Sequence, residues 1–265
     1  METNEGWLLV THQDHARLAG EIGSFWGNET FAEPTPRANV LLAVARHDDA
    51  WASRDSAPAL AGDGTPAAFS KDLVGTYSAF ENIDLAEYLH VRGQAAKAVA
   101  GEDPLAAILI SMHTVNLLTD QADLSGLSPA DRSLHAEFIQ SQQKLQEDLA
   151  QALPPSERPT AETFQTAFHF LQACDSLSLM ACAGYPASMD LRHRHPTNNG
   201  ETLPVHAVPE GSGSYRLEPF PLQDEKCRFS IPALAVKGNR FSSKSEFQEA
   251  LQGGHRQFLE ITVHR

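Results

Sequence analysis

At 265 residues, 42% of them apolar, the chain is long enough for one large domain or two modest ones and apolar enough to bury a core. A formal net charge of −14 argues against nucleic acid as a partner, because that affinity rests on neutralising many phosphates, while a small anionic substrate held by a metal ion stays compatible with it. Cysteines at 174, 182 and 227 form neither a Cys-x-x-Cys pair nor a disulfide framework and read as reduced core residues.

The first residues are acidic, without the basic region of a signal peptide. The longest apolar runs, 40–45 and 104–112, fall short of the roughly 18 residues a membrane span needs, so a cytoplasmic protein without a membrane partner is expected.

Thr11 followed by Asp14 marks a helix start, and the spacing predicts a helix over 12–26. His15, Leu18, Ala19, Ile22, Phe25 and Trp26 fall on one stripe, with His12 one turn earlier. After the prolines at 34 and 36, residues 38–51 form an apolar run that ends in His47, Asp48 and Asp49. The run predicts a helix buried on most sides, and a buried polar end of this kind requires hydrogen bonds, counter-charges or a metal ion. Residues 53–70 read as a long loop and 71–101 as one or two helices around Tyr77, Phe80, Leu85 and Tyr88.

Asp103-Pro104 opens another apolar helix, to about 118, with Leu105, Leu109, Met112, His113 and Asn116 on one face. A more polar helix is predicted over 128–153 and a further one from Thr160 to Gly184. In the latter Phe164, Phe168, Leu171, Asp175, Leu179 and Cys182 repeat at three-and-four spacing, so Asp175 occupies a position where an apolar residue belongs. Beyond Pro186 the composition shifts to His, Pro, Asn and Gly, and strands are expected at 215–222, 227–237 and 258–264, with a turn at Gly211-Ser-Gly213 and a short helix at 245–251. Arg192-His-Arg-His195 reads as a solvated charge cluster. The expected architecture is mainly α: a helical bundle over 1–190 with a small β-rich part over 191–265 packed on it.

The inward polar residues are thus His15, His47-Asp48, His113 and Asp175, each on a different predicted helix. Helices packed around one core can bring such residues to a point, and imidazole with carboxylate suits a divalent metal such as iron, manganese or zinc. His15, His47, Asp48 and Asp175 are the expected metal ligands, an open rather than closed set.

The order of these residues resembles the HD-domain superfamily of metal-dependent phosphohydrolases, in which a His, a His-Asp pair ending an apolar helix and a distant Asp form the signature. Leu41-Leu-Ala-Val-Ala-Arg-His47-Asp48 looks like that superfamily's central helix and Cys174-Asp175-Ser-Leu-Ser-Leu like its last metal-binding helix. His113 is similar to an additional histidine that in some members serves a second metal or the phosphate. The whole chain, with Asp14-His-Ala-Arg-Leu-Ala-Gly20 and His47-Asp-Asp-Ala-Trp51, looks more closely like a bacterial family known as a domain of unknown function, number 3891. It departs from the superfamily at Asp49-Ala50-Trp51, where a small residue and glycine are usual.

What the resemblance implies is an HD-like bundle that hydrolyses a small phosphorylated or other anionic compound with a metal-activated water. In that role Asp49 orients the water and His113 serves as acid or holds a second ion, while Arg46 and Arg17 are the nearest cations for substrate charge. Two other functions fit the same residues: a non-catalytic metal- or ligand-binding regulatory module, and a di-iron oxidoreductase. His12 is the substitute ligand for His15.

Overall fold

The computed structural model describes residues 1–67, 85–120, 122 and 124–265. Strand β1 (Gly6–Leu9) leads into helix α1 (His12–Ser24), which is followed by α2 (Arg37–Arg46), a 3-10 turn (Asp49–Trp51) and the short α3 (Ala52–Asp55). Helices α4 (Leu85–Ala100), α5 (Pro104–Thr119), α6 (Pro129–Ala152) and α7 (Ala161–Ala183) complete the helical part. Tyr77 and Phe80, expected to anchor a helix, lie outside the described residues. Among the described helices none is long and apolar enough to cross a membrane.

The caps follow the sequence closely. The side chains of Thr11, Asp103, Ser128 and Thr160 each accept a backbone N–H of the first turn, and Gly184 closes α7 in the left-handed region at φ 64°.

After α7 come β2 (Met189–Asp190), β3 (His195–Pro196), β4 (Thr202–Leu203), β5 (His206–Gly211), β6 (Ser214–Glu218), β7 (Lys226–Lys237), α8 (Lys244–Gln252) and β8 (His255–His264). Six strands form a curled half-barrel sheet in the order β1-β7-β8-β6-β5-β2, and β3 pairs with β4 separately. The fold is therefore mixed α/β rather than mainly α. Two strands account for much of the difference. The four residues of β1 abut the α1 cap and show no alternation to betray a strand, and Pro209 interrupts the pattern of β5.

Helices and sheet share one hydrophobic core. Leu18 and Ile22 of α1, Val44 of α2, Leu109 of α5 and Leu171 and Leu177 of α7 belong to the same buried cluster as Leu217 of β6, Ile231 of β7 and Val263 of β8. The sheet thereby backs the helices that carry the inward polar residues. Two further expectations met a different environment. The stretch at 192–195 is solvated only in part: His193 and Arg194 are exposed, but His195 is 1% exposed, and His193 also stacks on His169 at 3.6 Å and bonds Gln172 Oε1 at 2.6 Å. The helix expected over 38–51 ends at Arg46, and only Val40, Ala43 and Val44 of it are fully buried.

Candidate metal centre

The phase of α1 is set at its cap, where Thr11 Oγ1 accepts the Asp14 N–H at 3.0 Å and donates to the Asp14 carboxylate at 2.6 Å. His15 then points inward beside Leu18, Ala19 and Ile22, all buried. The chain leaves α2 through His47 and Asp48, and the Asp48 backbone at φ −116°, ψ 14° departs from the helix before the turn at Asp49–Trp51. α5 carries His113 among Leu109, Ile110 and Leu117, and α7 carries Asp175 between buried Leu171, Cys174 and Leu177. All five residues are at most 8% exposed.

Their terminal atoms converge. His15 Nε2 lies 3.4 Å from Asp48 Oδ2 and 3.6 Å from Asp175 Oδ1, and His47 Nε2 lies 3.8 Å and 3.4 Å from the same two oxygens. These spacings exceed the roughly 2.9 Å typical of an N–H···O bond. Each of these His–Asp spacings is close to the edge of about 3.4 Å between two ligands placed about 2.1 Å from one tetrahedral ion. Two overlapping groups can hold an ion, His15, His47 and Asp48 in one and His47, His113 and Asp175 in the other. His47 is common to both, and Asp175 bridges further, with Oδ1 toward His15 and His47 and Oδ2 facing His113 Nε2 at 3.7 Å.

The far sides of two imidazoles are already tied. His47 Nδ1 donates to the Val44 carbonyl at 2.7 Å, which leaves Nε2 buried without a hydrogen-bond partner. On α7, Ser178 Oγ donates its one proton to the Asp175 carbonyl at 2.9 Å, so it accepts from His15 Nδ1 at 2.8 Å. Both rings therefore turn Nε2 toward the cluster, with the outer nitrogen fixed as metal-bound histidines require. The donor set fits a divalent ion.

A buried cation stands behind Asp48. Arg92 of α4 donates to Asp48 Oδ1 at 2.5 Å, with its guanidinium 5.0 Å from the Trp51 ring centroid and 5.4 Å from that of Tyr88. This orients Asp48 so that Oδ2 is the oxygen facing the histidines. Burial opposes the Asp48 charge, but Arg92 and then His47 hold its carboxyl well below the usual range. Burial likewise opposes charge on Asp175, yet the His47 imidazole beside it lowers its pKa to about 2. For His47 burial disfavours the imidazolium, and Asp48 with Asp175 overrides it, raising the pKa to about 9. Burial wins at His113, which is pushed down to about 3 although Asp175 pulls the other way.

The other expected residues fall outside this point. Asp49 accepts from Arg46 Nε at 2.6 Å and belongs to neither convergent group. Arg46 also donates to Glu102 at 2.6 Å, and Arg17 pairs with Asp14 at 3.1 Å on the surface. His12 donates from Nδ1 to Asp55 at 2.6 Å and stacks on Trp51 at 4.7 Å. Sequence reasoning missed Ser178 and Arg92. Each had a signal: Ser178 lies one turn beyond Asp175, and Arg92 is a charge on the apolar stripe of Leu85, Tyr88, Leu89 and Ala96.

A family model described as a protein of unknown function (DUF3891) matches residues 1–238. No curated protein and no solved structure matches the chain.

Proposed function

The chain belongs to the DUF3891 family, and from its buried histidine–aspartate cluster we infer that it is a metal-dependent hydrolase of a small phosphorylated or other anionic compound, built on an HD-like helical scaffold. The observation that carries this reading is the convergence of His15 Nε2, His47 Nε2, Asp48 Oδ2 and Asp175 Oδ1 at ligand spacing. Support for the scaffold is the order of these residues, one histidine on α1, the His-Asp pair at the end of α2 and the aspartate in α7, which resembles the HD signature. A bound divalent ion supplies a Lewis acid and lowers the pKa of a bound water toward neutrality.

The protein's own contributions are orientation and charge. Val44 and Ser178 fix the two imidazoles, and Arg92 holds Asp48 with one oxygen toward the site. His113, neutral at physiological pH because burial depresses its pKa to about 3, offers a lone pair. It therefore suits a place beside a second ion better than the role of proton donor. Arg92, rather than Arg46 or Arg17, is the cation at the cluster, already bonded to Asp48 through Nη1 and to the Tyr88 hydroxyl through Nε.

Burial of every ligand favours a second reading, a metal that ties the helices together without turnover. The two are separated by assaying metal-loaded protein against phosphomonoesters, phosphodiesters and nucleotides, with His47→Gln and Asp175→Asn as controls. The hydrolase reading expects turnover that depends on added metal and falls at least 100-fold in both variants, as loss of a metal's bound-water activation requires. Stoichiometric metal with no turnover across the panel contradicts the hydrolase and supports the structural metal.

A further inference from the structure

Strand β8 has an edge that its own sheet leaves open. β6 covers it only through the pairs Ser214↔Thr262, Tyr215↔Val263 and Arg216↔His264, and among the described residues no strand pairs with 256–260 on that side. The direction of the backbone groups follows from two observations. Thr262 donates its N–H to the Gly213 carbonyl at 2.8 Å, so the even-numbered residues of β8 turn their backbone groups away from β7. Opposite Phe258 on β7 stands Pro232, which has no N–H to give and fits only where the ladder makes no bond. The N–H groups of Arg256, Phe258 and Glu260 therefore project along the open edge.

Side chains on this stretch split by face. Leu259 packs against the core and Ile261 is buried, while Arg256 and Glu260 are exposed and Phe258 is 67% exposed on the outer face. An open edge carrying an apolar side chain is a template for strand addition.

We propose that the added strand is β8 of a second copy of this chain, paired antiparallel about a two-fold axis at Phe258. The evidence for that occupant is self-complementarity. In this register Phe258 lies opposite Phe258 of the second copy, and Arg256 of each copy lies opposite Glu260 of the other. An axis at Gln257 sets Arg256 against Phe258 and leaves Glu260 without its opposite charge. An axis between two residues pairs even with odd positions, whose backbone groups are committed to β7. Pairing ends at Glu260, which offers its N–H alone, because Gly213 passes so near that a Cβ on it would lie 2.4 Å from the Glu260 carbonyl. The contact is short, so the dimer depends on concentration.

Sedimentation velocity of the full chain over a concentration series tests this. The parent protein is expected to show a monomer–dimer equilibrium. Phe258→Pro, which removes an N–H that β7 does not use, is expected to weaken it at least tenfold. Arg256→Glu and Glu260→Arg are each expected to weaken it several-fold, and the double reversal to restore it, since the swapped charges again lie opposite one another. Glu260 also accepts from Ser230 Oγ at 2.6 Å, so circular dichroism melts establish that each variant is folded before it is compared. A monomer at every concentration, or a dimer that none of these variants weakens, overturns the proposal. Failure of the double reversal overturns the register.

Discussion

At His47 a proton and an incoming metal ion would compete for one lone pair. Nδ1 is committed to the Val44 carbonyl, so Nε2, 3.4 Å from Asp175 Oδ1, is the atom that accepts either. Its pKa of about 9, above the ordinary 6.5, means that the metal-free protein holds this proton through neutrality. The protonated form therefore contributes stability that is fully present below pH 6.5 and is lost as pH rises through about 9. Metal binding would expel the proton, so apparent affinity is expected to rise roughly tenfold per pH unit up to that pKa. Titrating zinc into weakly buffered metal-free protein at about pH 7.5 should release close to one proton from this residue, and an indicator that records none contradicts the competition. At this scale much was legible. His15, His113 and Asp175 interrupt apolar stripes, and burying a polar group demands a partner, so their inward orientation could be read from spacing. The partners could not: Ser178 and the Val44 carbonyl matter through hydrogen-bond direction, and Arg92 comes from a helix whose packing no local pattern specifies.

Among the elements, the site depends most on how closely α1 and α2 approach. Gly20 lies against Ala45, and a Cβ on it would come within 2.6 Å of the Ala45 Cβ and 3.0 Å of its Cα, backbone that cannot swing aside. These helices carry His15 five residues before the contact and His47 two residues after it. Gly20→Ala is therefore expected to push α1 and α2 apart, costing about 1–3 kcal/mol of stability and weakening metal binding as well. Gly101→Ala is the control, because nothing lies within 4 Å of its added Cβ. Urea denaturation with a parallel metal titration checks both, and equal behaviour of the two variants contradicts the close-contact account. Capping signals placed the starts of α1, α5, α6 and α7 from sequence because each Thr, Asp or Ser satisfies a first-turn N–H that would otherwise be orphaned. The early end of α2 was not legible, since Ala, Trp and Asp carry no breaker signal. There His47 and Asp48 are drawn out of the helix toward partners on α1, α4 and α7.

For the whole molecule, the sheet and the helices share its main hydrophobic core. β1, from the first ten residues, pairs with β7 through Gly6↔Lys237 to Leu9↔Leu234, and β8, the last strand, lies between β7 and β6. Such pairing joins the ends of the chain and has no local signature, which is why the β-rich C-terminal region was legible but the strand joining it from the other end was not. The sheet lies behind the helices that converge on the candidate site, with α1 packed against β7. The central claim is that this convergence holds a divalent ion on His15, His47, Asp48 and Asp175. Its most direct test is elemental analysis of protein reloaded with zinc, manganese or iron and then dialysed, for the parent chain and for His47→Ala, Asp175→Ala and Asp49→Ala. The expected result is near-stoichiometric metal in the parent and in Asp49→Ala, whose carboxylate is held by Arg46, and little in the other two. A metal-free parent, or equal metal in all four proteins, would contradict the claim.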